Sequence, residues 1–233
     1  MRLVIPPGVY RPEADSHLMA SRLRDEDLRA DTRVLDVCTG TGYLAICASL
    51  LGAGHVTAID ASRRAAAAAA HNARRSGARV RVLRGDLLEP VAGEQFDLIV
   101  SNPPYVPADS EALPRRGAAR AWDAGRDGRA LLDRLCADGP GLLAPGGRML
   151  LVHSAVCGAA ATATALRAAS LESGVVARKL VPFGPVMRAR AAELERRGLT
   201  SRNPDEEEIL VVEGRRPDAV ALLASAHTLV AAT

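Results

Sequence analysis

The segment Ser101-Asn102-Pro103-Pro104-Tyr105 joins residue types that suit the recognition of a planar NH2 group. It follows Phe96 to Val100, an apolar run rich in β-forming residues that predicts a buried strand. Both prolines fix φ and lack a backbone donor, and Pro103 also restricts Asn102, so the loop is stiff and its carbonyls are free to accept. The Asn102 amide oxygen and the Pro103 carbonyl could then accept both hydrogens of an amide or an exocyclic amine.

Such a loop would aim the lone pair of the bound nitrogen at an electrophile. Tyr105 could stack on the flat face of the acceptor group, and Pro104 beside it is expected to contact the same group. The loop offers neither a strong base nor a metal ligand, so it would act through orientation and by stabilising charge that develops on nitrogen. A proline-rich turn without chemistry is the alternative interpretation, and the upstream sequence bears on that choice.

A glycine turn precedes this loop in the chain. Arg33 to Cys38 predicts a strand, Thr39-Gly40-Thr41-Gly42 follows, and Tyr43 to Leu51 has the apolar spacing of a helix. Glycines in such a turn allow close backbone approach, and the helix N-terminus favours negative charge. Strand, glycine turn and helix in this order are typical of sites that cradle a nucleotide.

Two acidic residues lie where strands are expected to end. Asp60 closes the predicted strand from His55, about 20 residues beyond the glycines, which suits a ribose diol. Asp86 follows the alternating segment Arg79 to Arg84 and could accept a hydrogen bond from an adenine amine. Because ligands bind at the carboxyl ends of parallel strands, we expect both carboxylates and the Asn102 loop to surround one adenosine-containing ligand.

The remaining segments complete an α/β pattern. Further strands are predicted at Arg148 to His153, Val175 to Val181 and Glu208 to Glu213. Helices are predicted at His17 to about Leu28 with Ser16 as the N-cap, Ser62 to Ser76, Arg126 to Ala137 and Cys157 to Glu172. Seven strands alternating with helices predict a Rossmann-like, doubly wound α/β sheet in a single domain spanning residues 1–233.

Several parts of the chain stand apart from this alternation. Residues 1–30 are expected to form an N-terminal flap and helix, and residues 217–233 a helical or frayed tail. The basic segment 182–204 interrupts the pattern, and a solvated helix within it is favoured over a substrate contact. Residues 106–125 lack periodicity and carry Trp122, the only tryptophan, so we interpret them as a substrate-binding loop or a lid.

Composition bears on compartment and partners. The formal net charge of +3 is too mild to require nucleic acid as a partner. The four cysteines form no C-x-x-C pair and no cluster with histidine, so we expect reduced side chains and no metal site. No apolar run reaches membrane-spanning length and the N-terminus does not match a signal sequence, which favours a cytoplasmic protein without a membrane partner.

The chain resembles the HemK-like release-factor glutamine methyltransferases, a group of class I S-adenosylmethionine-dependent methyltransferases. Val34 to Gly42 is similar to their cofactor motif, Ser101 to Val106 to their catalytic motif, and Ala121 to Arg129 to a segment typical of this group. Tyr10 to Ser16 resembles the start of the short members, which lack the N-terminal helical domain. The resemblance implies the class I methyltransferase fold, in which the last strand pair is antiparallel.

The resemblance also implies residue roles. S-adenosylmethionine would be held by Ser16, Asp36, Cys38, Gly40, Gly42, Asp60, Asp86, Leu87 and Asn102. Asn102, Pro103 and Tyr105 would be the catalytic residues, with Pro104 and Trp122 as further substrate contacts. Asp36 and Gly40 would line the methionine end of the cofactor, Asp60 the ribose, and Asp86 with Leu87 the adenine.

The implied reaction is methylation of a glutamine side chain in a peptide release factor, and short members of the group can work with a small zinc-binding activator subunit. The Asn102 loop serves equally well for an exocyclic amine of adenine or guanine in nucleic acid, and a small-molecule acceptor is a third alternative. Gly40 to Ala45 also fits a dinucleotide-binding pattern. An NAD-dependent oxidoreductase, however, leaves the Asn102 loop unexplained.

Overall fold

The computed structural model describes residues 1–200 and 205–218. Its strands are β1 (Arg33–Val37), β2 (His55–Asp60), β3 (Val80–Arg84), β4 (Phe96–Ser101), β5 (Leu143–Ser154), β6 (Glu172–Pro182) and β7 (Glu206–Arg215). Its α-helices are α1 (Ala14–Leu23), α2 (Tyr43–Leu50), α3 (Arg63–Arg75), α4 (Ala130–Asp138), α5 (Ala159–Ala168) and α6 (Pro185–Arg196).

One sheet contains all the described strands, in the order β3-β2-β1-β4-β5-β7-β6. Neighbours among β1 to β5 run parallel, whereas β7 is antiparallel to both β5 and β6. This topology confirms the predicted doubly wound, seven-stranded sheet, including its antiparallel last strand pair.

The strand register brings the predicted site residues to one edge of the sheet. Val37 at the end of β1 lies opposite Ile59 of β2 and Ser101 of β4. Asp60 lies opposite Arg84 of β3. The turns that follow these four strands therefore begin side by side. Since the strand order reverses between β1 and β4, a crevice for a ligand is expected at this edge.

Alternate residues along the central strands face opposite layers of the molecule. On one face the buried cluster joins the sheet to α4 and α5 and includes Leu35, Ile99, Leu132, Leu135 and Leu166. On the other face it joins the sheet to α1 and α2 and includes Val34, Val100, Met19, Leu23 and Leu44. With both faces covered, the sheet is a rigid base for the turns at its edge. Of the helices described, none combines the length and apolarity that crossing a membrane requires.

Helix α1 begins earlier than predicted. Its first residue is Ala14 and its N-cap is Glu13, so the prediction of Ser16 as the N-cap is wrong. Ser16 is instead buried within the helix, as is Asp15 beside it. Their side chains accept hydrogen bonds from residues of the loop after β4, so Ser16 does not cap the helix.

Helix α4 begins later than predicted. It starts at Ala130 rather than at Arg126. Gly125 and Gly128 have φ angles of 81° and 76°, in the left-handed region that a right-handed helix cannot include. The segment before α4 is therefore a turn, and it lies against the loop that follows β4.

Helix α6 is packed along one face rather than fully solvated. Met187 and Leu194 are 4% and 0% exposed, and they form a small cluster with Val106 and Phe183. The favoured prediction of a solvated helix is wrong for this face, because its apolar side chains cover the irregular loop after β4. Residues 201–204 of the basic segment, and the predicted tail beyond residue 218, lie outside the described residues.

Candidate active site

The turns at the carboxyl edge of the sheet surround one cavity of about 1300 Å³. The predicted site residues that line it are Ser16, Asp36, Cys38, Gly40, Asp60, Asp86, Leu87, Asn102, Pro103, Pro104, Tyr105 and Trp122. Pockets for one small molecule usually measure about 300–1,000 Å³. The cavity therefore has room for a nucleoside-sized ligand together with an acceptor group.

Gly42 is the one predicted site residue that is absent from this lining, although its neighbours Thr41 and Tyr43 belong to it. It has a φ of 83°, and a Cβ at this position would lie 2.9 Å from the Cα of Ala69 on α3. Glycine here lets the start of α2 approach α3 closely. The packing of α2 against α3 thus gives Gly42 a structural role, and its cofactor contact stays a prediction.

Asp60 ties the glycine turn to the end of β2. Its Oδ2 accepts a hydrogen bond from the N–H of Gly40 at 2.9 Å, and its Oδ1 accepts one from the N–H of Ser62 at 2.7 Å. Burial raises the pKa of this carboxyl group, and the two N–H donors oppose that rise. Each carboxylate oxygen keeps a second lone pair, so Asp60 can still accept from a ligand diol in the cavity.

Asp36 presents a buried oxygen that has no hydrogen-bond partner among the described residues. Its Oδ2 accepts from the hydroxyl of Thr39 at 2.6 Å and from the N–H of Ala45 at 3.0 Å, but its Oδ1 accepts from neither. Burial raises the pKa of this carboxyl group to about 7. A buried, unsatisfied carboxylate oxygen beside a cavity is costly by itself and fits a cationic donor, such as the ammonium group of a methionine moiety.

Cys38 adopts a conformation that is unusual for its residue type. Its φ of 61° lies in the left-handed region. Burial raises the pKa of the thiol, and the nearby carboxylates of Asp60 and Asp36 raise it further. The side chain therefore stays a neutral thiol, and it forms part of the cavity wall.

Asn102 is held in one orientation by the N-terminal part of α1. Its Nδ2 donates to Oδ2 of Asp15 at 2.9 Å and to the hydroxyl of Ser16 at 3.1 Å. Both amide hydrogens are used in these bonds, so Oδ1 is the side-chain atom left to accept from a ligand. Ser101 anchors the loop from below, because its buried hydroxyl donates to the carbonyl of Val37 at 2.7 Å.

Asp15 collects hydrogen bonds from two phenols as well. The hydroxyls of Tyr10 and Tyr105 donate to its Oδ2 at 2.9 Å and 3.0 Å. Burial raises the pKa of both phenols, and the charge of Asp15 raises it further, so both hydroxyls remain donors. From the sequence alone, an ordinary capped surface helix is favoured over a flap whose Asp15 and Ser16 reach a ligand, so the contacts of Asp15 with Asn102 and Tyr105 are not predicted.

A second layer of backbone hydrogen bonds supports the loop after β4. The N–H of Val106 donates to the carbonyl of Trp122 at 2.7 Å, and the N–H of Ala124 donates to the carbonyl of Val106 at 3.1 Å. The thiol of Cys157 donates to the carbonyl of Tyr105 at 3.0 Å. The segment around Trp122 therefore holds Tyr105 in place, in addition to lining the cavity.

Helix α6 bounds the side of the cavity next to the loop after β4. Arg190 donates to the carbonyl of Pro107 at 2.8 Å and forms an ion pair with Asp123 at 2.7 Å. Val186 and Met187 of the same helix line the cavity wall. The basic segment is thus tied to the loop that carries Trp122, which sequence reasoning did not predict.

The strand order, the antiparallel β7 and the cavity beside the glycine turn define the class I methyltransferase fold. A solved structure with this fold is the Mtq2–Trm112 complex of E. cuniculi, described as responsible for methylation of the eRF1 translation termination factor. It shares 20% sequence identity at a TM-score of 0.58, over 90% of this chain and 99% of that chain. Likeness at this identity shows the fold.

Sequence relatives narrow the class to a family. The family model described as Methyltransferase small domain matches residues 1–114. A protein of Methanocaldococcus jannaschii, provisionally named protein N5-glutamine methyltransferase, is 32% identical over 187 residues, which are 80% of this chain and 93% of that protein. The release factor glutamine methyltransferase of Bordetella pertussis is 41% identical over 157 residues, which are 64% of this chain. The chain belongs to this family of protein glutamine methyltransferases, as its motifs predicted.

Coverage differs between the relatives. The chain spans 93% of the archaeal protein but 58% of the Bordetella enzyme, and 50% of the ribosomal protein uL3 glutamine methyltransferase of Bradyrhizobium diazoefficiens. The matched part of the bacterial enzymes is thus little more than half of their length. The acceptor and the partners of this chain are therefore taken up below as proposals.

Proposed function

We propose that this protein transfers the methyl group of S-adenosylmethionine to the side-chain amide nitrogen of a glutamine in a peptide release factor. One observation carries the proposal: the Asn102 amide group is turned by Asp15 and Ser16 so that its oxygen is left to accept from a ligand. That oxygen belongs to a loop lining the same cavity as the glycine turn. Family membership supports the reaction class.

The proposed cofactor site uses residues that line the cavity. S-adenosylmethionine supplies a methyl group on a sulfonium, which needs no further activation. Asp36 would bind the cationic methionine end through its unsatisfied Oδ1, and Asp60 would bind the ribose hydroxyls. Asp86 and Leu87 line the cavity at the end of β3, where they would hold the adenine.

The Asn102 loop would hold the acceptor amide. The Asn102 side-chain oxygen and the Pro103 carbonyl each accept one amide hydrogen, which points the nitrogen lone pair toward the cofactor side of the cavity. The nitrogen would gain positive charge as it bonds to the methyl carbon and the methyl–sulfur bond breaks, with the electron pair of that bond returning to sulfur. These two fixed oxygens would stabilise the charge on nitrogen. Tyr105 covers the amide, while Pro104 and Trp122 line the approach. The extra proton on nitrogen then leaves to solvent.

Methylation of an exocyclic amine in nucleic acid is a second candidate function. The cationic residues that line the cavity support it, namely Arg11, Arg115, Arg120 and Lys179, together with Arg134, which is paired with Asp86. Phosphate groups would bind such a cationic rim, and the binding would weaken steeply with added salt.

The proposal also includes a small activator subunit, because the fold neighbour Mtq2 was solved in complex with Trm112. Methylation of a release factor would take place in the cytoplasm.

Transfer from labelled S-adenosylmethionine to a purified release factor tests the proposal. The wild type should methylate the glutamine of the Gly-Gly-Gln loop, located by mass spectrometry. Asn102→Ala should lose about 100-fold or more in turnover and keep its cofactor affinity. A single-stranded oligonucleotide serves as the competing acceptor. Label on the oligonucleotide alone would replace the protein acceptor by nucleic acid, and equal loss of turnover and cofactor affinity in Asn102→Ala would refute the role of Asn102.

A further inference from the structure

Asp86, the carboxylate assigned to the adenine, is engaged by a cation from another element. Nη2 of Arg134 on α4 donates to Oδ2 of Asp86 at 2.7 Å, and Nη1 donates to Oδ1 at 3.4 Å. The two residues are 48 positions apart in the chain. A guanidinium that reaches both oxygens of one carboxylate fixes the plane of that carboxylate as well as its position.

Arg134 belongs to the cavity wall. It lies one helical turn after Leu131, and both residues line the cavity together with Asp86 and Leu87. Leu87 has a φ of 45°, a conformation that costs a leucine free energy, and it is buried. The end of the cavity beyond β3 is thus bounded by two apolar side chains and one oriented ion pair.

This geometry suits the recognition of a 6-aminopurine. The fork of Arg134 uses the two lone pairs of Asp86 that face it, and the carboxylate keeps further lone pairs for another donor. An exocyclic amine can donate to such an oxygen, whereas the carbonyl of a 6-oxopurine would place one acceptor against another. Discrimination requires that the carboxylate cannot rotate away from the carbonyl, and Arg134 supplies that restraint.

We propose that Arg134 is a specificity-determining residue of the cofactor site, which orients the Asp86 carboxylate so that the site selects adenine over hypoxanthine. The proposal rests on the proposed binding of S-adenosylmethionine. It assigns Arg134 a positioning role: the side chain acts on the purine through Asp86, and the acceptor half of the cavity does not depend on it.

A matched ion pair lies nearby outside the cavity. Nη2 of Arg81 donates to both carboxylate oxygens of Glu94, at 2.7 Å and 2.8 Å. Arg81 is 49% exposed and Arg134 is 42% exposed, so their substitution removes guanidinium groups of similar solvation. Neither Arg81 nor Glu94 lines the cavity. Loss of the Arg81 pair therefore reports general effects of removing one arginine from this region.

The test measures the Kd values of S-adenosylhomocysteine and S-inosylhomocysteine by calorimetry, for the wild type and for Arg134→Gln, Arg134→Lys and Arg81→Gln. The wild type should bind the adenosyl compound about tenfold or more tightly than the inosyl compound. This is the affinity ratio that one hydrogen bond to a charged group usually contributes. Arg134→Gln should lower this preference to about threefold or less. Arg134→Lys should behave like Arg134→Gln, because an ammonium group lacks the planar fork. Arg81→Gln should keep the wild-type preference.

The outcomes separate this proposal from the one on which it rests. An unchanged preference in Arg134→Gln overturns the role of Arg134 and leaves cofactor binding intact. An equal loss of affinity for both nucleosides overturns it too, because it indicates general support of the pocket. Failure of the wild type to bind S-adenosylhomocysteine at all overturns the proposed function together with this inference. Circular dichroism of Arg134→Gln, Arg134→Lys and Arg81→Gln checks that each variant is folded.

Discussion

Nδ2 of Asn102 lies 2.9 Å from Oδ2 of Asp15, a residue 87 positions earlier in the chain. The contact makes the N-terminal part of α1 a component of the site, because it decides which end of the Asn102 amide faces the cavity. Without an acceptor at Asp15, rotation of the amide by half a turn would exchange its oxygen and nitrogen. An NH2 group would then face the acceptor amide and repel its hydrogens.

Asp15→Asn tests this dependence. The substitution preserves size but removes the charge that accepts from Tyr10, Tyr105 and Asn102. We expect turnover to fall by about 100-fold, since small losses of alignment have effects of this size. The cofactor Kd should change by less than about threefold. Stopped-flow single-turnover rates and calorimetry measure the two quantities separately.

Glu13→Gln is the control for that substitution. Glu13 is an exposed acidic residue at the rim of the same cavity, and it serves as the N-cap of α1 without a side-chain hydrogen bond. Its neutral variant should keep turnover within about twofold of the wild type, the range usual for surface substitutions. A loss in Glu13→Gln as large as in Asp15→Asn would indicate a general effect of charge and contradict the specific role of Asp15.

Binding of S-adenosylhomocysteine should strengthen as the pH rises. Burial raises the pKa of Asp36 to about 7 in the free protein, so the carboxyl group is mostly protonated at pH 6 and ionised at pH 8. Because the cationic methionine end prefers the ionised form, binding releases the proton. The apparent Kd should then be about tenfold weaker at pH 6 than at pH 8, since only the ionised fraction is competent.

Asp36→Asn provides the comparison for the pH profile. A neutral amide in place of the carboxyl group removes the titration, so the profile between pH 6 and pH 8 should become flat while the affinity falls. Calorimetry in buffers of different ionisation enthalpy also counts the proton released by the wild type. A slope that persists in Asp36→Asn would assign the pH dependence to another group.

Gly128→Ala should displace the Asn102 loop at the backbone of Tyr105. A Cβ at Gly128 would lie 2.3 Å from the carbonyl oxygen of Tyr105 and 2.9 Å from the sulfur of Cys157, so the loop must move. We expect at least about a tenfold loss of turnover together with a lower Tm. Gly198→Ala is the control, since Gly198 also has a positive φ of 69° but a Cβ there would meet nothing within 4 Å. Similar turnover losses in both variants would trace the effect to backbone strain alone.

The sheet could be predicted because each strand carries its own local pattern. The run Phe96 to Val100 is apolar and bounded by polar residues, and the glycine turn after β1 has few other interpretations. Asp60 and Asn102 follow directly from strand ends, so their proximity required only the rule that parallel strands share a carboxyl edge. The gathering of these residues at one edge of the sheet was therefore accessible from sequence.

Contacts between distant segments could not be predicted in the same way. Ser16 has the residue type of an N-cap, and nothing local shows that its hydroxyl accepts from Asn102 instead. The pairing of Arg134 with Asp86 joins a helix to a turn whose relative orientation is set only by packing. In α6, the spacing of Met187 and Leu194 is a weak signal of a buried face. The many arginines of the segment favour the prediction of a solvated helix instead.

The packing of α6 leads to a final prediction, about the acceptor. Arg190 joins α6 to the loop after β4 through Pro107 and Asp123, and the Asp123 side chain is only 13% exposed. In Arg190→Ala that carboxylate loses its cationic partner, and the wall beside Trp122 should loosen. We expect KM for the acceptor protein to rise by about tenfold while the cofactor Kd stays constant, because Pro107 and Asp123, the partners of Arg190, both lie outside the glycine turn. Arg196→Ala removes an exposed arginine of the same helix, whose contact is with Glu193, and should leave both constants unchanged. If both variants raised KM equally, the positive charge of α6 rather than its packing would attract the acceptor, and steep salt dependence of KM would then accompany the effect.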